Sequence, residues 1–146
     1  MCHAQPDDRD EWLLLRRGLW PEGSAAEHAA EISDYFEGRA PAPLAVILAF
    51  DTSHQPVGLA ELSIRWCAEG CQTDRVAYLE GWYVVPEARR GGVGRALVAA
   101  AEEWARAQDC SEFASDTNMA NELGALAHAG VGFEEVGLVR CFRKAL

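Results

Sequence analysis

The sequence lacks the features that define several common classes of protein. It has no apolar run long enough to cross a bilayer, no C-x-x-C pair among its five cysteines and no histidine spacing typical of a metal site. Its N-terminus, Met-Cys-His-Ala-Gln-Pro-Asp-Asp, has neither the basic region nor the apolar core of a signal peptide. We therefore predict a cytoplasmic protein with reduced cysteines, no metal ion and no membrane partner.

Positive charge is also scarce. The 146 residues include 13 Lys and Arg against 23 Asp and Glu, which gives a formal net charge of −10. This excess of negative charge argues against nucleic acid as a partner. It suits a cationic ligand, although solubility alone explains it equally well. The length and the hydrophobic content of 49% predict one folded domain over residues 1–146.

A glycine-rich loop between a predicted strand and a predicted helix is the most informative segment. It reads Arg89-Arg90-Gly91-Gly92-Val93-Gly94-Arg95. Glycines let the backbone approach a ligand closely, and a helix N-terminus adds free N–H groups and a partial positive charge. We therefore predict a pyrophosphate site. The P-loop and the dinucleotide fingerprint fit less well, because no Lys-Ser/Thr follows the last glycine and G-x-G-x-x-G is absent.

Periodicity and turn residues predict the order of the elements. Helices are predicted over residues 11–20, 24–36, 92–107 and 118–129, and strands over residues 44–50, 57–66, 76–85, 112–115 and 133–143. The second helix opens with the capping box Ser24-Ala25-Ala26-Glu27. The third helix joins two strands in a right-handed parallel crossover. The order predicts an α/β (or α+β) sandwich, a mixed sheet with helices on both faces.

Several motifs together carry a resemblance to a known family. Arg89-x-x-Gly92-x-Gly94 resembles the acyl-coenzyme A loop of the GCN5-related N-acetyltransferases, and the element order resembles their fold, a mostly antiparallel sheet with a splayed parallel pair. One branch, the bacterial aminoglycoside 6'-N-acetyltransferases, is matched by Leu79-Glu80-Gly81, Ala114-Ser115-Asp116-Thr117 and His128-x-x-x-Gly132-Phe133 at their mutual distances. The family normally opens with one more strand, and the first ten residues are a poor strand.

The resemblance implies how the acyl donor, acetyl-coenzyme A, is bound. Main-chain groups of a bulged strand contact the pantetheine arm, and an N–H near Val84 holds the oxyanion. Asn121 either forms a hydrogen bond to the pantetheine arm or caps a helix. His128 either contacts the donor, protonates its leaving thiolate or packs inside the protein. The implied donor-binding residues are Trp82, Tyr83, Val84, Val85, Arg89, Arg90, Gly91, Gly92, Val93, Gly94, Arg95, Asn121 and His128. Related enzymes are often dimers, so a homodimer is also implied.

Two carboxylates are the predicted catalytic residues. Glu80 interrupts an apolar strand, and an unpaired buried charge is costly, so it must face a partner, a cleft or solvent. Asp116 follows the neighbouring parallel strand, so both are predicted to line the crevice at the strand ends. Together they can bind an ammonium group and accept its proton. A structural ion pair for Glu80 and a helix N-cap for Asp116 are the alternatives.

The predicted function is acetyl-coenzyme A-dependent N-acetylation. The resemblance implies direct transfer to the 6'-amine of an aminoglycoside in a ternary complex, with Trp20 and Trp66 beside Glu80 and Asp116 in the acceptor site. Core packing is the alternative for both tryptophans. A transferase for another amine, such as a polyamine or a protein N-terminus, and a non-catalytic coenzyme A-binding module are the competing functions.

Overall fold

The computed structural model describes residues 1–145, which contain four α-helices and five strands. The helices are α1 (Arg9–Leu19), α2 (Ala25–Phe36), α3 (Val93–Ala107) and α4 (Glu122–Gly130). The strands are β1 (Cys2–His3), β2 (Ala45–Phe50), β3 (Pro56–Arg65), β4 (Val76–Val84) and β5 (Phe113–Ser115). Short 3-10 turns occupy Pro6–Asp8 and Pro86–Ala88.

The strands form one sheet in chain order, β1-β2-β3-β4-β5. Consecutive strands are antiparallel except β4 and β5, which are parallel because α3 carries the chain back between them. The predicted mixed sheet with one parallel pair is therefore confirmed.

The sheet is covered on both faces, as predicted. Strand β2 shows why, since its side chains alternate between two hydrophobic clusters. Ile47 and Ala49 pack on the α3 side, and Val46 and Leu48 pack on the side of α1 and α2. The helices contribute Leu97, Val98 and Ala101 from α3 to one cluster, and Trp12, Leu15 and Ile32 from α1 and α2 to the other.

Local capping explains where two helices begin. The Ser24 hydroxyl accepts from the Glu27 N–H at 3.1 Å, and the Glu27 carboxylate accepts from the Ser24 N–H at 3.0 Å, so the predicted capping box is confirmed. The last helix begins later than the predicted residue 118. The Asn121 side chain accepts from the Gly124 N–H at 2.9 Å and stands outside α4 as its N-cap.

The predicted final strand over residues 133–143 is absent, and that prediction is wrong. Residues 133–145 are outside the helices and strands. Four apolar side chains of the segment, which a paired strand would partly bury, are 61% to 91% exposed: Val136, Leu138, Val139 and Phe142. The physical reason is that β5, the edge strand next to which it would pair, has only three residues and offers few backbone hydrogen bonds. We call residues 134–145 the C-terminal segment.

Within residues 1–145, none of the helices is both long and apolar enough to cross a membrane. The same residues contain no cluster of three or more His, Cys, Asp or Glu side chains that could hold a metal ion. The first strand exists despite its unfavourable sequence, as a two-residue pairing of Cys2 and His3 with β2.

Candidate active site

A crevice opens where β4 and β5 part. Their last paired residues are Leu79 and Ser115. Strand β5 ends there, whereas β4 continues to Val84. Glu80 follows Leu79 on β4, and Asp116 follows Ser115 after β5. The structure therefore brings the two predicted carboxylates to the same level of the crevice. This is the carboxyl-end position where ligands bind in open α/β sheets.

Glu80 is the extra residue of a β-bulge. Glu61 and Leu62 are neighbours on β3, but their partners on β4 are Gly81 and Leu79, so Glu80 has no partner in this ladder. Up to the bulge, side chains alternate along β4, so Glu80 shares a face with Tyr78 and lies opposite Leu79, which is buried on the α3 side. Arg65 contacts both Tyr78 and Glu80, in agreement with this placement.

Beyond the bulge, one edge of β4 faces the crevice. The Val85 N–H donates to the Val57 carbonyl of β3 at 3.0 Å. By alternation, the main-chain groups of Val84 and Trp82 point the other way. The Arg89 Nε donates to the Val84 carbonyl at 3.0 Å, which ties the glycine-rich loop to this edge. The Val84 N–H points into the same space.

The glycine-rich loop leads into α3 with the backbone exposed. Arg90 (φ 63°) and Gly92 (φ 84°) adopt left-handed conformations, which glycine tolerates best. Gly92 is the N-cap of α3, and in the described chain no side chain caps this helix and no acidic residue lies in its first turn. The first N–H groups of α3 are therefore available to an anion. Arg89 and Arg90 are exposed beside them, while Arg95 donates to the Gly130 carbonyl at 2.8 Å.

Close packing fixes the start of α3 against the sheet. Val93 contacts β3 at Gly58, where an added Cβ would lie 3.0 Å from the Val93 side chain. Gly94 packs on the Trp82 indole, and a Cβ added to Gly94 would lie 3.1 Å from that ring. Gly91 is exposed at the tip of the loop. Small residues at these positions allow the helix N-terminus to approach β4.

The Trp82 indole offers an unused hydrogen bond near the start of α3. Its Nε1–H is buried and has no hydrogen-bond partner among residues 1–145. A buried N–H group without a partner costs about 1–3 kcal/mol, so native proteins normally satisfy it with water or a ligand. Because the ring lies against Gly94, the indole N–H stands near the first turn of α3.

His128 and Asn121 are engaged inside the protein. The His128 Nδ1 lies 2.7 Å from the Gly124 carbonyl, which can only accept, so this nitrogen carries the proton. Its Nε2 lies 2.8 Å from the Ser115 hydroxyl. Asn121 donates to the Thr117 hydroxyl at 3.0 Å in addition to capping α4. These contacts match the packing alternative for His128 and the helix-cap alternative for Asn121.

The Glu80 carboxylate is paired with a cation. Arg65, the last residue of β3, donates from Nε to Oε1 at 3.0 Å and from Nη2 to Oε2 at 2.6 Å, and the Ser63 hydroxyl also donates to Oε1. The Arg65 guanidinium lies over the Tyr78 ring, 3.4 Å from its centroid. Burial, and then the negative charge of the exposed Asp116, raise the pKa of Tyr78 to about 12. Arg65 thus pairs with Glu80 and stacks on Tyr78, whose pKa responds to the charge of Asp116.

Ser63, Arg65 and Tyr78 are not among the site residues predicted from the sequence. A signal for two of them is present in β3, where Glu61, Ser63 and Arg65 alternate with apolar residues. Alternation of this kind places the polar side chains on one face of the strand. Since β3 is central in the sheet, a polar row on it indicates a cleft or a buried polar network.

Trp20 lies beside the bulge. An added Cβ on Gly81 would be 2.9 Å from the Trp20 ring. The Arg16 guanidinium lies 5.1 Å from the Trp20 ring centroid, and the Trp20 carbonyl lies 3.1 Å from the His28 Nε2. These contacts fix Trp20 at the end of α1. Trp66 is 83% exposed and follows Arg65 directly, so it is not a core residue.

A buried network holds Arg16 under Trp20. The Arg16 Nε donates to the Glu61 Oε1 at 2.8 Å, and the Trp12 Nε1 donates to the same oxygen at 2.7 Å. Burial raises the pKa of Glu61, and the positive charge of Arg16 opposes that shift. The network joins α1 to β3, so the wall of the crevice that carries Trp20 is tied to the sheet.

Comparisons with known proteins identify relatives over almost the whole chain. Residues 9–133 match the acetyltransferase (GNAT) family. The chain is 52% identical to the aminoglycoside N(6')-acetyltransferase type 1 of Klebsiella aerogenes, over 98% of this chain and 94% of the relative. It is 40% identical to the protein of the same name from Serratia marcescens, over 96% of this chain and 94% of the relative.

Solved structures show the same similarity. The apo aminoglycoside antibiotic 6'-N-acetyltransferase AAC(6')-IG from Acinetobacter haemolyticus superposes with a TM-score of 0.90 at 34% identity, covering 99% of this chain and 97% of that one. AAC(6')-Iy in complex with the bisubstrate analogue CoA-S-monomethyl-acetylneamine also gives 0.90, at 32% identity and the same coverage. Both sides of the crevice lie within these matches.

Proposed function

The chain belongs to the acetyltransferase (GNAT) family, and we propose that it transfers the acetyl group of acetyl-coenzyme A to the 6'-amine of aminoglycoside antibiotics. The observation that carries the proposal is a crevice where the two carboxylates stand at the same level, next to a strand that leads into the uncapped N-terminus of α3. The aminoglycoside 6'-specific names of its relatives, and the bisubstrate complex of a similar structure, support this choice of acceptor.

The donor is held along the free edge of β4 and the start of α3. The first N–H groups of α3, with Arg89 and Arg90, bind the pyrophosphate. The main chain from Trp82 to Val85 binds the pantetheine arm, and the donor satisfies the Trp82 indole N–H. The Val84 N–H faces the thioester oxygen and stabilises the charge that develops there.

The acceptor must lose a proton before it can attack. Glu80 and Asp116 hold the ammonium group and take up that proton, directly or through water. The neutral nitrogen then bonds to the thioester carbonyl carbon and gives up a second proton to solvent, the C–S bond breaks, and the sulfur leaves as a thiolate that takes a proton from solvent. No cysteine lies on β4 or in the glycine-rich loop to carry the acetyl group, so transfer is direct. The proposed reaction requires no metal ion.

Thiol release from acetyl-coenzyme A, measured over a panel of amines, tests the function. Kanamycin and tobramycin are expected to release thiol, and an aminoglycoside with a 6'-hydroxyl is the negative control. Spermidine and a peptide with a free N-terminus represent the competing acceptors. Equal rates with the 6'-hydroxyl compound would contradict the proposed position of transfer. Donor binding without release for any amine would indicate the non-catalytic module.

We also propose that residues 1–146 act as one catalytic domain in the cytoplasm. Acetyl-coenzyme A is a cytoplasmic metabolite, and the five cysteines are free. The net charge of −10 disfavours nucleic acid and anionic membranes as partners, and we propose neither.

The C-terminal segment supports a homodimer. It leaves Val136, Leu138, Val139 and Phe142 exposed, and large exposed apolar groups of this kind mark interaction surfaces. Its two valines and Phe142 favour a strand, yet it pairs with no strand of the described chain. Light scattering on a sizing column is expected to give the mass of a dimer, and a chain truncated after Glu134 is expected to elute as a monomer. A monomeric full-length chain would contradict the dimer.

Gly81→Val is expected to damage the acceptor site and spare the donor site. Its methyl groups would overlap Trp20 and Leu19, since even a Cβ would come within 2.9 Å of both. We expect the acceptor KM to rise at least about tenfold while the donor Kd stays within about twofold. Steady-state kinetics and calorimetry measure the two. Ala30→Val, at an exposed position of α2, is the control. Equal losses for donor and acceptor would contradict the placement of Trp20.

A further inference from the structure

Two tryptophans and an arginine form a stack along α1 and its C-terminal cap. Trp12, Arg16 and Trp20 are spaced four residues apart, so their side chains lie along one face of the helix. The Arg16 guanidinium carbon lies 5.9 Å from the centroid of the Trp12 ring and 5.1 Å from that of the Trp20 ring. Both distances are in the range of cation–π contacts. The guanidinium therefore contacts the ring before it and the ring after it along the chain.

Carboxylates from two other elements fix the orientation of the Arg16 guanidinium. The Glu61 Oε1 of β3 accepts from the Arg16 Nε at 2.8 Å and from the Trp12 Nε1 at 2.7 Å. Glu31 of α2 forms an ion pair with the Arg16 Nη1. Arg16 and Glu61 are 8% and 1% exposed, so solvent does not compete for the bond between them. A planar guanidinium that bonds two carboxylates through different nitrogens has little freedom to turn.

The stack ends beside the crevice. Glu61 pairs with Gly81 across β3 and β4, and a Cβ added to Gly81 would lie 2.9 Å from the Trp20 ring. Glu80 directly precedes Gly81, so the ring that Arg16 contacts packs on the residue next to a predicted catalytic carboxylate. A buried ion pair often adds no more stability than apolar residues of similar volume. Stability alone therefore does not account for the charges of Arg16 and Glu61.

On the basis of the function proposed above, we propose that Arg16 is a positioning residue of the acceptor site, which holds the Trp20 ring in the orientation that contacts the aminoglycoside. A tryptophan ring offers a large apolar surface to a ligand. A ring that is already held loses less freedom on binding than a mobile one, so more of the contact energy appears as affinity. Arg16 is buried and acts on the acceptor only through this ring.

Arg16→Lys tests the proposal. Lysine keeps a positive charge for Glu61, but its ammonium lacks the flat face that stacks on rings and the fork that bonds two carboxylates. With saturating acetyl-coenzyme A, the kanamycin KM is expected to rise about five- to tenfold, while kcat and the donor Kd stay within about twofold. Arg9→Lys is the matched control and is expected to change none of these constants. Arg9 belongs to the same helix, and its guanidinium lies 5.0 Å from the Phe36 ring centroid, outside the stack.

A second substitution shows whether the effect passes through the ring. Trp20→Leu is expected to raise the kanamycin KM, and Arg16→Lys added to it is expected to raise that KM less than about twofold further, because both changes remove the same contact. A general loss of structure would instead add to the effect of Trp20→Leu. Additive effects, or an unchanged kanamycin KM in Arg16→Lys alone, would overturn the proposal.

NMR spectra of ¹⁵N-labelled protein test the positioning without an acceptor. The indole N–H signal of Trp20 is assigned by its loss in Trp20→Phe. Arg16→Lys is expected to shift or broaden this signal and to leave that of the exposed Trp66 in place. An unmoved Trp20 signal would overturn the proposal. If the wild type releases no thiol with kanamycin, the proposed function fails, and the Trp20 signal still decides whether Arg16 holds the ring.

A neutral pair keeps the test available if Arg16→Lys does not fold, which thermal unfolding establishes. Arg16→Gln combined with Glu61→Gln removes both buried charges and keeps a side-chain oxygen that can accept from the Trp12 Nε1. Such replacements of a whole buried pair are tolerated better than the loss of one partner. The same rise in kanamycin KM and the same change of the Trp20 signal are expected, and wild-type values for both would overturn the proposal.

Discussion

Gly94→Asp is expected to weaken acetyl-coenzyme A binding by about 100-fold or more. Gly94 is the second residue of α3, and its N–H belongs to the free first turn. A carboxylate there would face the donor pyrophosphate, and like charges a few ångström apart repel by several kcal/mol at protein dielectric values. Titration calorimetry with acetyl-coenzyme A measures the loss.

Gly94→Asn is the matched control for this variant. It has the same shape as Asp and meets the same Trp82 ring, 3.1 Å from the Cβ position. The difference between Asp and Asn therefore isolates the charge. An acidic residue in the first turn of a helix normally stabilises it, so the thermal stability of Gly94→Asp is expected to equal or exceed that of Gly94→Asn. Equal donor affinities for the two variants would show that the pyrophosphate lies elsewhere.

Glu80→Gln and Asp116→Asn are each expected to lower kcat by about 10²–10⁴-fold if the residue is the base. If the two carboxylates only bind the ammonium, the loss appears mainly in the acceptor KM. Because they act on one ligand, the double variant is expected to lose less than the product of the single losses. Steady-state kinetics with kanamycin distinguish these cases.

Glu80→Gln also leaves Arg65 without its counter-charge, so it needs two controls. Glu103→Gln removes an exposed carboxylate on α3 and is expected to leave kcat and KM unchanged. Arg65→Gln combined with Glu80→Gln removes both members of the ion pair, so a recovery of activity would assign part of the loss to the unpaired arginine. Near-wild-type kcat and KM in both single variants would mean that the acceptor binds elsewhere.

Much of this fold could be predicted because neighbouring residues determine it. The capping box from Ser24 to Glu27 is complete within four residues, and the hairpin of β2 and β3 follows from two apolar runs around a polar turn. The parallel pair also follows from a local pattern, a strand, a helix and a strand. The missing final strand shows the limit. The strand-forming residues of the C-terminal segment indicate a preference, but a strand also needs a free edge, and that edge is set by distant parts of the chain.

The candidate site also has a part that the sequence predicts and a part that it does not. That Glu80 and Asp116 lie side by side could be predicted, because the carboxyl ends of adjacent parallel strands meet at one edge of the sheet. The pairing of Glu80 with Arg65 could not, because it depends on the register of β3 and β4 and on the one-residue bulge of β4 at Glu80. No local pattern specifies such a shift. The contact of the His128 Nε2 with the Ser115 hydroxyl likewise depends on where α4 docks.

The sequential order of the strands has a consequence for how the enzyme folds. Contacts between β2, β3 and β4 join segments that are close in the chain, and such contacts form early. Strand β5 can pair only after α3 has crossed the sheet, and it adds only three paired positions. Its amide hydrogens are therefore expected to exchange with solvent faster than those of β3. The crevice that holds both carboxylates would then be the last part of the molecule to form and the first to open.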